Sequence, residues 1–136
     1  MSLDIQERTH EGITIFDLKG RITLGQEASV LRDMVERLES RSIRNLVLNM
    51  EHVEYVDSTG LGALVMCSTH LKNSNGIAKL VNVNRRNIEL LVMTKLATVF
   101  EIFTDEQDAI NSYFPDRKIQ RFDVLDFVRQ MKQESH

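Results

Sequence analysis

The chain has 136 residues, 17 Lys and Arg against 20 Asp and Glu for a net charge of -3, a hydrophobic fraction of 42% and one cysteine, Cys67. That length supports one domain with a full core, the acidic balance removes the electrostatic case for nucleic acid, and no apolar run approaches the roughly 18 residues of a membrane span. A lone cysteine allows no intrachain disulfide or thiolate metal cluster, and Met1-Ser2-Leu3-Asp4 opens no basic-then-apolar leader, so the chain reads as cytoplasmic.

Leu3-Asp4-Ile5-Gln6 alternates and predicts a short edge strand. After the turn His10-Glu11-Gly12, Ile13 to Gly20 predicts a second strand, paired to the first as a hairpin. Gly20-Arg21-Ile22-Thr23 leaves it. A helix follows, with Val30, Leu31, Met34, Val35 and Leu38 inward and Arg32, Asp33, Glu36 and Arg37 on a solvated face. Ile43 to Met50 predicts a central strand. Leu61 to Leu71 predicts a helix with Leu61, Leu64, Val65, Ser68 and Leu71 in one stripe, stopped near Asn73-Ser74-Asn75-Gly76, where Asn and Gly suit a left-handed stop.

Ile77 to Val83 predicts the next strand, Arg85 to Leu96 a shorter helix carrying Ile88, Leu91 and Val92, and Val99 to Phe103 a short strand. Thr104-Asp105-Glu106-Gln107 has capping-box spacing. It opens a helix with Ala109, Ile110, Tyr113 and Phe114 inward, terminated by Pro115. The order β-β-α-β-α-β-α-β-α predicts an α/β fold, a mostly parallel sheet with right-handed crossovers.

Residues 1–115 read as the domain and residues 116–136 as an extension. In the extension Val124, Phe127, Val128 and Met131 fall at i, i+3, i+4 and i+7, beside Phe122 and Leu125, which predicts an amphipathic helix between Phe122 and Lys132. The preferred reading folds its stripe back onto the domain. The alternative offers it to a partner or to a second copy, as a homodimer. Its nearly balanced charges argue against a membrane surface.

The chemistry concentrates at Val56-Asp57-Ser58-Thr59-Gly60-Leu61-Gly62, between the central strand and its helix. Asp57 and Ser58 are strong N-cap residues. Gly60 and Gly62 are poor helix formers, so they need another reason, either packing against the sheet or close approach of another chain. A serine there is a good kinase target. On the residues alone, a capped helix and a modification site weigh about equally.

Other chemistries fail on spacing. Thr59 breaks an aspartic-protease triplet, Val56 stands where a nucleophile elbow needs Gly, and no Lys follows Gly62 as in a P-loop. No acid–base pair is visible, so the chain reads as no enzyme, with no catalytic residue, cofactor or metal site. Cys67 reads as a small helix residue. His10, His52, His70 and His136 lack ligand spacing and read as surface or loop residues.

Over about residues 3–114 the chain resembles the STAS domain, and within it the bacterial anti-sigma factor antagonists. Four segments carry the resemblance: Phe16-Asp17-Leu18-Lys19-Gly20-Arg21-Ile22; Leu46-Val47-Leu48-Asn49-Met50; Val56 to Gly62; and Val99-Phe100-Glu101-Ile102-Phe103 followed by Asp105-Glu106-Gln107-Asp108-Ala109. The resemblance implies that Ser58 is phosphorylated by an anti-sigma factor serine kinase of the histidine-kinase-like ATPase fold, with Thr59 as a secondary acceptor. The unphosphorylated form binds that kinase and frees a sigma factor. The phosphorylated form lets go, and a metal-dependent serine phosphatase restores it. The implied partner surface is Thr23, Asp57, Ser58, Thr59, Gly60, Leu61 and Gly62. Thr23 stands where many members are acidic, and Asn49 where many have Asp. The resemblance also admits a scaffold of a stress-signalling complex, or an accessory subunit of a transporter.

Overall fold

Strands and helices alternate along most of the chain. The computed structural model describes residues 3–23 and 25–134. His136, read above as a surface or loop residue, lies outside the described residues, as do Met1, Ser2, Leu24 and Ser135. The elements are β1 (Asp4–His10), β2 (Ile13–Ile22), α1 (Gln26–Ser40), β3 (Asn45–Val56), α2 (Ser58–Asn73), β4 (Ile77–Val81), α3 (Arg85–Met93), β5 (Glu101–Phe103), α4 (Glu106–Asn111) and α5 (Val124–Glu134).

The sheet runs β1-β2-β3-β4-β5, antiparallel only between β1 and β2. Parallel pairing forces each connection from β2 onward to cross back over the sheet. One face of the sheet buries Phe16, Leu18, Leu46, Leu48 and Leu80 with Leu31, Val35 and Leu38 of α1, Leu61, Leu64 and Leu71 of α2, and Ile88 and Leu91 of α3. The other face buries Ile13, Ile15, Val47, Val81 and Phe103 against Ala109 and Ile110 of α4. Thus α1, α2 and α3 all begin at the carboxyl end of the parallel strands, on the same face.

Several boundaries differ from the sequence pattern. β3 runs six residues past Met50. The register pairs Asp17 with Asn49 and Lys19 with His52, then Gly20 with Val53 and Arg21 with Tyr55, so β3 twice carries one residue more than β2. These bulges turn Met50, Val53 and Val56 into the same core at a spacing of three, which hides the strand's period of two. β4 stops at Val81, α3 at Met93, and β5 begins at Glu101. The α4 cap is Asp105, which accepts from Asp108 N–H, and the helix ends at Asn111, before Pro115. Val30 is 40% exposed rather than inward, because the buried arc of α1 is Ala28, Leu31, Val35 and Leu38. Asn75 takes the left-handed conformation that stops α2, with φ 62°.

α5 lies on its own domain. Phe122 N–H donates to Ile102 O at 2.9 Å, on the open edge of β5. Phe122, Val124 and Phe127 pack against the larger core cluster, while Leu125 is 71% exposed and no residue of α5 is fully buried.

Candidate functional site

The β3–α2 junction is built from the end of β2. Ile22 pairs with Val56, and Asp57 N–H donates to Ile22 O at 3.2 Å. α2 then turns over that carbonyl so closely that a Cβ on Gly60 would lie 1.8 Å from Ile22 O. Gly60 is therefore a packing requirement of the fold. Asp57 is the N-cap: its Oδ1 accepts from Gly60 N–H at 2.7 Å, and its carbonyl accepts from Leu61 N–H at 2.8 Å.

The candidate residues divide by exposure. Gly60 and Leu61 face inward and hold the backbone; Leu61 belongs to the core. Asp57 and Thr23 are half-buried, and Thr23 follows Ile22 directly, which sets it beside the junction. Ser58, Thr59 and Gly62 are exposed. A serine hydroxyl is thus displayed on a backbone that its neighbours fix from within. The first turn of a helix also carries unpaired N–H groups and the positive end of the dipole, which favours an added anion by about 0.3–1 kcal/mol.

The β3 tail that leads into the junction is fastened by residues that the sequence pattern did not single out. Asn84 Nδ2 donates to Val53 O at 3.0 Å, and Asn87 Nδ2 donates to the same carbonyl at 3.2 Å. The Arg86 guanidinium lies 4.6 Å from the Tyr55 ring centroid. The available signal was weak: Asn84 precedes a helix, and there it reads only as a cap, which it also is, accepting from Asn87 N–H at 2.8 Å. A cleft of about 670 Å³ opens at this end, lined in part by Asp4, Lys19, Glu51, His52 and Glu54.

Asn49 is buried on the opposite face from α2. Its Nδ2 donates to Asp17 Oδ1 at 2.8 Å, and its Oδ1 accepts from Asn82 Nδ2 and from Glu51 N–H, each at 3.2 Å. An Asp at this position would meet the Asp17 carboxylate without that donor, which accounts for Asn here. Asp17 is in turn clamped by Arg8, 2.6 Å from its Oδ2, and hydrogen bonding from Arg8 is the chief reason its pKa falls below the ordinary value.

Cys67 is buried, and burial pushes its thiol up to about 12, so it is an inert helix residue. Among the described residues no three His, Cys, Asp or Glu side chains converge as metal ligands, and no helix is long and apolar enough to cross a membrane.

The family model for the STAS domain matches residues 4–109. Among curated proteins, the chain is 26% identical over 110 residues to the anti-sigma F factor antagonist of Paenibacillus polymyxa, covering 81% of this chain and 94% of the relative. It is 27% identical over 110 residues to the anti-sigma-B factor antagonist of Bacillus subtilis, covering 81% of this chain and 99% of that one. Among solved structures, the anti-sigma factor antagonist SpoIIAA in its unphosphorylated form shares the fold with a TM-score of 0.71 at 15% identity, over 85% of this chain and all of that one.

Proposed function

The chain belongs to the STAS domain family, and on that premise we propose that it is a binding module that antagonises an anti-sigma factor, under control of phosphorylation at Ser58. The observation that carries this reading is the exposed Ser58 at the first position of α2, on a backbone held by Asp57, Gly60 and Ile22. Relatives matched over nearly their whole length are named anti-sigma factor antagonists, which supports the antagonist role. The unphosphorylated chain binds an ATP-dependent anti-sigma factor kinase in the cytoplasm and so frees a sigma factor. A metal-dependent serine phosphatase reverses the modification. The chain itself performs no catalysis.

The physics of the switch is local. Phosphorylation adds roughly -1.5 to -2 charges at neutral pH. The helix end tolerates that charge within the domain. A partner surface shaped around a neutral hydroxyl does not, because an unmatched buried charge is strongly unfavourable. Release then follows from the interface, with no unfolding of the domain.

Incubation of the chain with labelled ATP and fractionated lysate of its own source, followed by phosphopeptide mapping, tests the assignment and yields the kinase. Phosphate on Ser58 is expected. Phosphate on Thr59 alone, or on neither, overturns it. With the purified kinase, calorimetry is expected to give Ser58→Asp an affinity roughly tenfold weaker or worse. The phosphorylated chain is the stricter comparison, and equal affinities of the two natural forms refute the switch.

A further inference from the structure

α2 has two flanks. Met66, Cys67 and His70 border a crevice against α1. Leu61 and Leu64 meet Asn87 and Leu91 of α3. Ser58 stands one turn before Leu61, so it opens α2 on the flank that faces α3. α3 begins at the same end of the sheet, with two adjacent arginines, Arg85 and Arg86.

These two arginines are committed differently. Arg85 is taken by Glu89 at 3.0 Å and by Glu134, on the side of α5. Arg86 is exposed, and among the described residues it makes no ion pair. Its guanidinium rests instead over the Tyr55 ring, 4.6 Å from the centroid. Tyr55 precedes Ser58 by three residues, at most about 10 Å of extended chain. The start of α3 is itself pinned to this stretch, through Asn84 and Asn87 on Val53 O. An exposed cation over a ring gains little, so Arg86 is open to exchange that contact for an anion. Hydrogen bonds from a guanidinium to phosphate are charge-assisted and bidentate, which makes a phosphate the better partner.

Resting on the reading of Ser58 as a phosphorylation site, we infer that Arg86 is the receptor for that phosphate within the chain itself. On modification the guanidinium leaves Tyr55 and pairs with the phosphate, which ties the start of α3 to the start of α2. The added charge is then partly neutralised by the chain's own cation. The unmodified hydroxyl offers no anion, so the contact exists in one state only. Arg86 acts as a positioning residue that holds the phosphate on the α3 flank.

Phosphoserine is placed at Ser58 of the full-length chain by genetic encoding, so the test needs no kinase. Its second ionisation is followed by phosphorus NMR. Arg86→Gln is expected to make that ionisation about threefold less acidic than in the wild type, and Arg86→Lys about half as much. Arg85→Gln and Arg21→Gln, the latter across the strand pair from Tyr55, are expected to leave it unchanged. Phosphorylation should also move the Arg86 Nε–H resonance of the wild type and leave that of Arg85 in place. The same ionisation in the wild type and in Arg86→Gln overturns the inference. So does an equal response to Arg85→Gln or Arg21→Gln, since the phosphate then senses only the general field of this end. Because the phosphate is installed directly, failure of the pairing is read separately from failure of the lysate experiment to label Ser58.

Discussion

Within one turn of the β3–α2 junction, Gly60 is pressed on Ile22 and Leu61 lies in the core, whereas α5 holds 11 residues of which none is fully buried. Both regions carry exposed side chains, but they are held differently. At the junction the backbone on either side of Ser58 is held by a cap, a strand pairing and a glycine contact. α5 is held by the half-buried Phe122, Val124 and Phe127 and by peripheral ion pairs. From that difference the junction is expected to open only on global unfolding, and α5 to open locally.

The largest test of that contrast is Gly60→Ala. A Cβ 1.8 Å from Ile22 O has no relief except moving α2 away from β2. We expect a loss of about 3 kcal/mol, read from the denaturant midpoint. A stability within about 0.5 kcal/mol of wild type would mean that the junction is as adaptable as α5.

Next in size is Phe127→Ala. Truncating a fully buried Phe costs about 3–5 kcal/mol. Phe127 is only partly buried, against Phe122 with ring centroids 5.7 Å apart and beside Arg85, so about 2 kcal/mol is expected. Hydrogen exchange should quicken in residues 119–134 and stay unchanged in β3 and α2. A midpoint that rises with protein concentration would instead place the stripe in a homodimer.

The sequence carried the junction and the extension unequally. Asp57, Ser58 and the glycines are legible because capping and helix propensity are local. The roles of the two glycines are not, since Gly60 depends on Ile22, 38 positions away in the chain, and Gly62 on open space. The β3 tail was invisible as strand, because its bulges set Met50, Val53 and Val56 at intervals of three. The α5 stripe at Val124, Phe127, Val128 and Met131 predicted a helix but gave no depth of burial. That depth depends on how far the helix sinks beside α3, and nothing local encodes it. Val30 was misplaced for a related reason: an apolar residue one position from Leu31 lies on the shoulder of the buried arc.

Acid tests the ion pairs that join β1, β2 and α4. Arg8 joins β1 to Asp17 of β2 and Glu106 of α4. Its hydrogen bonds are the chief reason that both carboxyls titrate below their ordinary values of 3.8 and 4.5. Because the folded values are lowered, this stabilisation is fully present above the ordinary values and is lost as pH falls through the folded ones. Stability should therefore decline from about pH 4.5 downward, and Arg8→Gln should flatten the decline. Identical acid limbs for the two proteins would mean that the Arg8 set contributes no more than an ordinary surface pair.

The smallest effect is expected at the ion pair that ties the end of α5 to the start of α3. Arg85 and Glu134 meet with side chains 53% and 57% exposed. Arg85 also binds Glu89 at 3.0 Å, so it keeps a partner when Glu134 is neutralised. Exposed pairs of this kind contribute about 0.2–1 kcal/mol and weaken with salt. Glu134→Gln should then cost about 0.3 kcal/mol at low ionic strength and nothing measurable at about 0.5 M salt. Exchange should change only in the last turn of α5. The ratio of this effect to that of Phe127→Ala identifies what holds the extension: a small ratio assigns it to the aromatic contacts, and a loss above about 1.5 kcal/mol to charge. In the second case a partner arriving at the carboxyl end of the sheet, where Arg85 lies, would compete directly with Glu134 and loosen α5 as it docks.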